Sequence, residues 1–154
     1  EANDEQFLSL VDTADAIYFT GGNPVHLMDT LAGSLLIQRM KEAVGRGLIL
    51  AGSSAGAMVL GSWMRFRAWR EALCIVQGVA AFPHHERSDP ESVAKDLAES
   101  VPANVTVLGI DGRTCCLGNE EGWKVLGPGK VIMYQGGRWY RFSHGERFEL
   151  TQLC

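Results

Sequence analysis

The sequence of 154 residues carries 14 Lys+Arg against 18 Asp+Glu, a formal net charge of −4, with 46% hydrophobic and 21% charged residues. Such a chain can bury a globular core, which excludes intrinsic disorder, and its mild acidity excludes nucleic acid and an anionic membrane surface as main partners. No apolar run approaches the roughly 20 residues that span a bilayer. The densest basic stretch, Arg65 to Arg70, holds three arginines among Phe66, Ala68 and Trp69. Cys74, Cys115, Cys116 and Cys154 have the spacing of neither a zinc site nor a disulfide framework. Free thiols in a cytoplasmic protein, with no metal and no cofactor, are therefore expected.

Glu5 to Val11 reads as the end of an amphipathic helix with Phe7, Leu8 and Val11 on one side. Ala16 to Thr20 is an apolar strand stopped by the turn Gly21-Gly22-Asn23-Pro24. Val25 to Val44 follows a helical pattern through Leu27, Met28, Leu31, Leu35, Leu36 and Met40, closed by Gly45 and Gly47. Leu48 to Ala51 is a second buried strand, turned by Gly52 to Gly56 into the helical run Ala57 to Leu60. Cys74 to Ala81 reads as a strand, followed by the polar segment His84 to Asp89 and a helix from Pro90 with Val93, Leu97 and Val101 inward. Val105 to Ile110 and Thr114 to Leu117 flank the turn Asp111-Gly112-Arg113. Trp123–Leu126, Val131–Tyr134 and Trp139–Phe142, separated by Gly127-Pro128-Gly129 and Gly136-Gly137, read as antiparallel hairpins.

Alternating buried strands and helices predict a single α/β domain over residues 1–154. Its core is expected to be a mostly parallel sheet with helices on both faces and a C-terminal antiparallel extension. A doubly wound sheet normally has several strands before its functional turn, and here two precede Ser54. The strand count thus predicts an N-terminally incomplete domain. It predicts an open flank on the Ile17 side, covered by a homodimer partner or a second chain that completes the sheet.

Gly52-Ser53-Ser54-Ala55-Gly56 is G-x-S-x-G between an apolar strand and a helix. A strand turning sharply into a helix projects its turn side chain above the sheet edge, and the glycines remove Cβ atoms where the two elements approach. The helix start adds unpaired N–H groups that favour developing negative charge. Ser54 is the expected nucleophile. Its base is sought among four histidines. His26 lies on a helical face and His144 in a C-terminal turn, whereas His84 and His85 follow a strand end, where parallel sheets place functional loops.

Phe19-Thr20-Gly21-Gly22-Asn23, Ala51 to Ala57, Pro83-His84 and Gly109-Ile110-Asp111 occur in an order that resembles the serine peptidases including aspartyl dipeptidase (dipeptidase E) and cyanophycinase. In fold that family is similar to class I glutamine amidotransferases, a flavodoxin-like arrangement, with serine replacing cysteine at the elbow. The resemblance implies Ser54 as nucleophile and His84 as base, with His85 at a usually aromatic position. It also implies an oxyanion hole from the backbone N–H groups of Gly22 and Ala55. Asn23 and His85 are assigned to substrate binding. Cyanophycinase-like sequences carry Asp-Glu after Gly-Ile, the Glu orienting the histidine; here the pair is Asp111-Gly112. Asp111 is assigned as the acid, with Glu86, Asp89 or an incomplete triad as alternatives.

The expected activity is a cofactor-independent serine hydrolase that cleaves a peptide or amide bond in a small substrate through an acyl-enzyme. Arg65, Arg67, Arg70, Arg87 or Arg113 would supply a cation if the substrate side chain is acidic. The rivals are an esterase in the order Ser54, Asp111, His144 and a binding or regulatory module with a decayed triad.

Overall fold

The computed structural model describes residues 2–119 and 121–150, and the chain divides into two compact units, residues 1–77 and 78–154. Cys154, expected as a free thiol, lies outside the described residues. No helix among them is long and apolar enough to cross a membrane.

In the first unit, α1 (Glu5–Thr13) leads into β1 (Ala16–Phe19), then α2 (Pro24–Leu31), α3 (Leu35–Gly45), β2 (Ile49–Gly52), α4 (Ala55–Leu60), β3 (Trp63–Phe66) and β4 (Ala68–Glu71). Asp4 starts α1 by accepting from the Gln6 N–H at 2.9 Å, and Asn23 caps α2 through Oδ1 on the Val25 and His26 amides. The single helix expected over Val25 to Val44 is two. Gly33 at φ +72° takes a left-handed conformation, and the Ser34 hydroxyl caps α3 by accepting from the Ile37 N–H. Strands β1 and β2 pair in parallel, Ala16 with Ile49 through Phe19 with Gly52. Phe19, Met28, Leu31, Ile37, Met40, Leu48, Met58, Val59 and Met64 form the core of this unit. On the other face of the ladder Tyr18 is 61% and Ile49 57% exposed. On the Ile17 side, β1 has no hydrogen-bonded neighbour strand among the described residues.

The run Cys74 to Ala81 is not one strand. The Ile75 and Val76 amides both donate to the Leu60 carbonyl, so this stretch folds back on the end of α4, and Gly78 at φ +66° breaks it. The strand begins later, as β5 (Val79–Pro83). The basic stretch is a hairpin in which β3 and β4 pair antiparallel around Arg67 at φ +68°. It buries Met64 and leaves Phe66 exposed.

In the second unit, α5 (Pro90–Ser100) connects β5 to the parallel β6 (Thr106–Ile110), a βαβ crossover. Ala94 and Leu97 form the buried face of α5, with Val93 and Val101 partly covered. After β7 (Cys115–Asn119) and β8 (Gly122–Leu126) come β9 (Val131–Gln135), β10 (Arg138–Phe142) and β11 (Arg147–Phe148). Strand β9 joins β6 antiparallel and carries β10, giving the order β10-β9-β6-β5, while β11-β8-β7 form a separate sheet. Gly136 and Gly137 both have positive φ, the pairing that a two-residue hairpin turn with native twist requires.

The sheets are mixed, and the antiparallel extension lies in the C-terminal strands, where the hairpins were expected. Among the described residues two ladders are parallel and five antiparallel. The β9–β10 ladder is closed by the Gly136-Gly137 turn and β3–β4 by a turn at Arg67, whereas β9 and β11 return to β6 and β8 across intervening strands.

Candidate active site

Ser54 stands between β2 and α4 at φ 50°, ψ −115°, a backbone conformation that non-glycine residues rarely adopt, and its side chain makes no helix-capping hydrogen bond. Strain of this kind costs on the order of 1–3 kcal/mol and persists only where the surroundings enforce it. The surroundings here are the two motif glycines. A Cβ on Gly52 would lie 2.6 Å from the Gly56 carbonyl oxygen, and one on Gly56 would lie 2.7 Å from both the carbonyl carbon and Cβ of Phe19. The x-Gly spacing therefore lets α4 rest on the β1 and β2 backbones, as the sequence predicted. Gly56→Ala is expected to destabilise the protein. The roughly 1 kcal/mol gained in helix propensity is outweighed by overpacking of about 1–3 kcal/mol against backbone that has nowhere to go. Chemical denaturation showing unchanged or increased stability would contradict this packing.

The Gly21-Gly22 turn lies beside the serine: a Cβ on Gly21 would sit 3.5 Å from Ser54 Cβ. Gly22 has φ +143°, accessible in practice to glycine alone, with open space where a Cβ would go. Conformation rather than crowding thus requires glycine there. Neither the Gly22 nor the Ala55 amide has a hydrogen-bond acceptor among the described residues. Two unpaired backbone donors accordingly belong to the unit that carries Ser54. Asn23 spends its Oδ1 on the start of α2. Arg65 lies over the Trp69 ring at 5.9 Å, and Arg70 pairs with Asp29 at 3.6 Å.

The second unit holds the histidine pair at the end of β5. His84 is exposed and takes φ +60°, uncommon for a non-glycine residue. His85 is 5% exposed, and its Nε2 lies 2.6 Å from the hydroxyl oxygen of Tyr134, itself 3% exposed. Burial pushes His85 below its ordinary pKa, against the pull of Asp111 and Glu86. Burial, with help from Asp89 and Asp111, pushes the Tyr134 hydroxyl up to about 12. Both partners are therefore neutral at neutral pH.

Each candidate acid accepts from a backbone amide: Asp111 from Lys130 at 2.9 Å, Glu86 from Gly112 at 2.9 Å, and Asp89 from Ser92 at the start of α5. The carboxyl of Glu86 is held below its ordinary pKa by its own backbone N–H, by that of Gly112, and by the nearby His84 and Arg87. His144 accepts from the Gly127 N–H through Nδ1 at 3.2 Å, and it shares no hydrogen bond with Asp111 among the described residues. The first unit thus gathers Gly21, Gly22, Ser54 and Ala55, and the second gathers His84, His85, Glu86 and Asp111. Tyr134 went unnoticed in the sequence, where it reads as one more apolar position of a buried strand.

A family model described as peptidase family S51 matches residues 2–126. A cyanophycinase of Geminocystis herdmanii is 26% identical over 161 residues, which cover 95% of this chain and 58% of that protein. A crystal structure of a peptidase from an acI-B1 Actinobacterium superposes with a TM-score of 0.81 at 33% identity, over 96% of this chain and 64% of that one. A putative peptidase E protein from Listeria monocytogenes, 16% identical with a TM-score of 0.57 over 93% of this chain and 68% of that one, shares the fold. The chain spans 58% of the curated relative and 64% of the actinobacterial chain.

Proposed function

The chain belongs to peptidase family S51, and from that premise we propose that it is a serine hydrolase of peptide or amide bonds that needs no cofactor. The observation that carries the reading is the strained Ser54 between β2 and α4, with the unpaired Gly22 and Ala55 amides in the same unit. Ser54 Oγ attacks the substrate carbonyl while His84 takes its proton. The two amides hold the oxyanion, and collapse expels the amine, which receives the proton from His84. Water then attacks the acyl-enzyme by the same route and returns Ser54. Small peptides are the substrate class, in keeping with relatives named as a cyanophycinase and as peptidases.

Asp111 is the proposed acid, and one observation favours Glu86 in its place: the charge of His84 is among the causes that lower the Glu86 pKa. Asp111→Asn and Glu86→Gln separate them, the acid being the residue whose loss lowers kcat by about 100-fold or more. The esterase order is disfavoured because Asp111 and His144 are bonded to different backbone amides. The test of the reading as a whole is a fluorophosphonate probe together with a panel of Asp-Xaa dipeptides, β-Asp-Arg and simple esters. Labelling at Ser54 with hydrolysis of at least one peptide is expected. No labelling would establish the decayed module instead.

The flavodoxin-like arrangement is the finer form of this proposal, supported by the parallel β1–β2 and β5–β6 ladders. The open edge of β1 suits a further strand, from a second copy or another chain segment, that completes the sheet. The free Cys74, Cys115 and Cys116 fit a cytoplasmic location.

A further inference from the structure

His84 follows a strand, is exposed, and holds φ +60°. A non-glycine residue keeps such a conformation only when its neighbours fix it. The neighbour on the C-terminal side is unusually well fixed. The His85 N–H donates to the Ile110 carbonyl at 3.2 Å, and its own carbonyl accepts from Ser88 at 3.0 Å. Its imidazole lies on the backbone of Gly109, where an added Cβ would come within 2.6 Å of ring atoms Cγ and Nε2. The ring ends on the Tyr134 hydroxyl at 2.6 Å, edge-on to the phenol at a centroid separation of 5.6 Å. Tyr134 belongs to β9, an inner strand of its sheet, and pairs with Val107 on one side and Trp139 on the other. A rigid strand thus reaches the histidine loop through one hydrogen bond.

We propose that Tyr134 and His85 are positioning residues that set the backbone of His84, and with it the placement of the base. His85 is then no substrate ligand, since its imidazole is spent on Tyr134 and covered by Gly109. The inference rests on His84 being the base. Gly109 has a stated purpose in it, to leave room for an imidazole where any side chain would displace the ring. Burying a polar ring costs stability unless it is hydrogen-bonded. A leucine would fill that space without needing a partner, so packing alone gives no reason for a histidine here.

The test is the rate at which a fluorophosphonate probe labels Ser54 in the intact protein, resolved into probe affinity and the first-order inactivation step. Tyr134→Phe keeps the ring and removes the hydroxyl. It is expected to slow the first-order step about 10-fold or more and to leave probe affinity within about twofold, the split that separates positioning from binding. His85→Gln, which retains an acceptor for the hydroxyl, is expected to keep more of the labelling rate than His85→Leu. Thermal stability is expected to rank the two the other way. If Tyr134→Phe labels within twofold of the unaltered protein, or Leu equals Gln in rate, the inference is overturned. His84→Ala run beside them distinguishes the two levels: full labelling there removes the base assignment itself. Should Tyr134→Phe not fold, the Gln and Leu pair decides alone.

Discussion

Ser54→Ala is expected to abolish hydrolysis while leaving the fold intact. Loss of the nucleophile should lower kcat by about 10⁴-fold or more, the scale on which catalytic triads respond. Stability should change little, within about 1 kcal/mol, because Ser54 makes no capping hydrogen bond for α4 to lose and alanine meets the same backbone strain. Activity on the hydrolysed peptide and a denaturation curve check both halves. Retention of more than about a tenth of the activity would remove Ser54 from the mechanism, since no orienting role leaves so little to the nucleophile.

His84→Ala is expected to cost about as much as Ser54→Ala, and the double variant no more than either alone. Nucleophile and base act as a unit, so once one is gone the other has nothing to activate. His144→Ala is the companion measurement. Its Nδ1 is engaged by the Gly127 amide, so its loss should loosen the turn before β11 and spare activity within about threefold. A collapse of activity in His144→Ala with His84→Ala unaffected would install the esterase order. Since His84 is exposed, its alanine variant removes little buried surface, and a loss of activity there can be attributed to chemistry.

The serine elbow was legible because its requirements are local. Gly52 and Gly56 are spaced by the geometry of one strand meeting one helix, and the clashes a Cβ would meet there lie within a few residues or on the adjoining β1. The Gly21-Gly22 turn and the Gly136-Gly137 hairpin are likewise written in short stretches of sequence. The break at Gly33-Ser34 is equally local but is masked by apolar periodicity that runs on through both helices. The β3–β4 hairpin was hidden by its arginines, which read as a charged stretch although Met64, just before Arg65, is fully buried.

What the sequence by itself determined is therefore the strand-turn-helix at Gly52 to Gly56, the Gly21-Gly22 turn and the alternation of strands with helices, each signalled by a short stretch of residues even where, as for Gly56 on Phe19, the contact is distant along the chain. Tertiary structure alone decided the rest. Thr114 to Leu117 leaves the strand that precedes it for a different sheet, because β6 is already paired with β5 and β9. His85 and Tyr134 stand 49 residues apart and meet only because β9 inserts beside β6. Periodicity reports which face of an element is buried but carries no information about which distant side chain it will find there. The meeting of a loop after β5 with a side chain of β9 is set by the order and register of the strands, which are properties of the folded sheet.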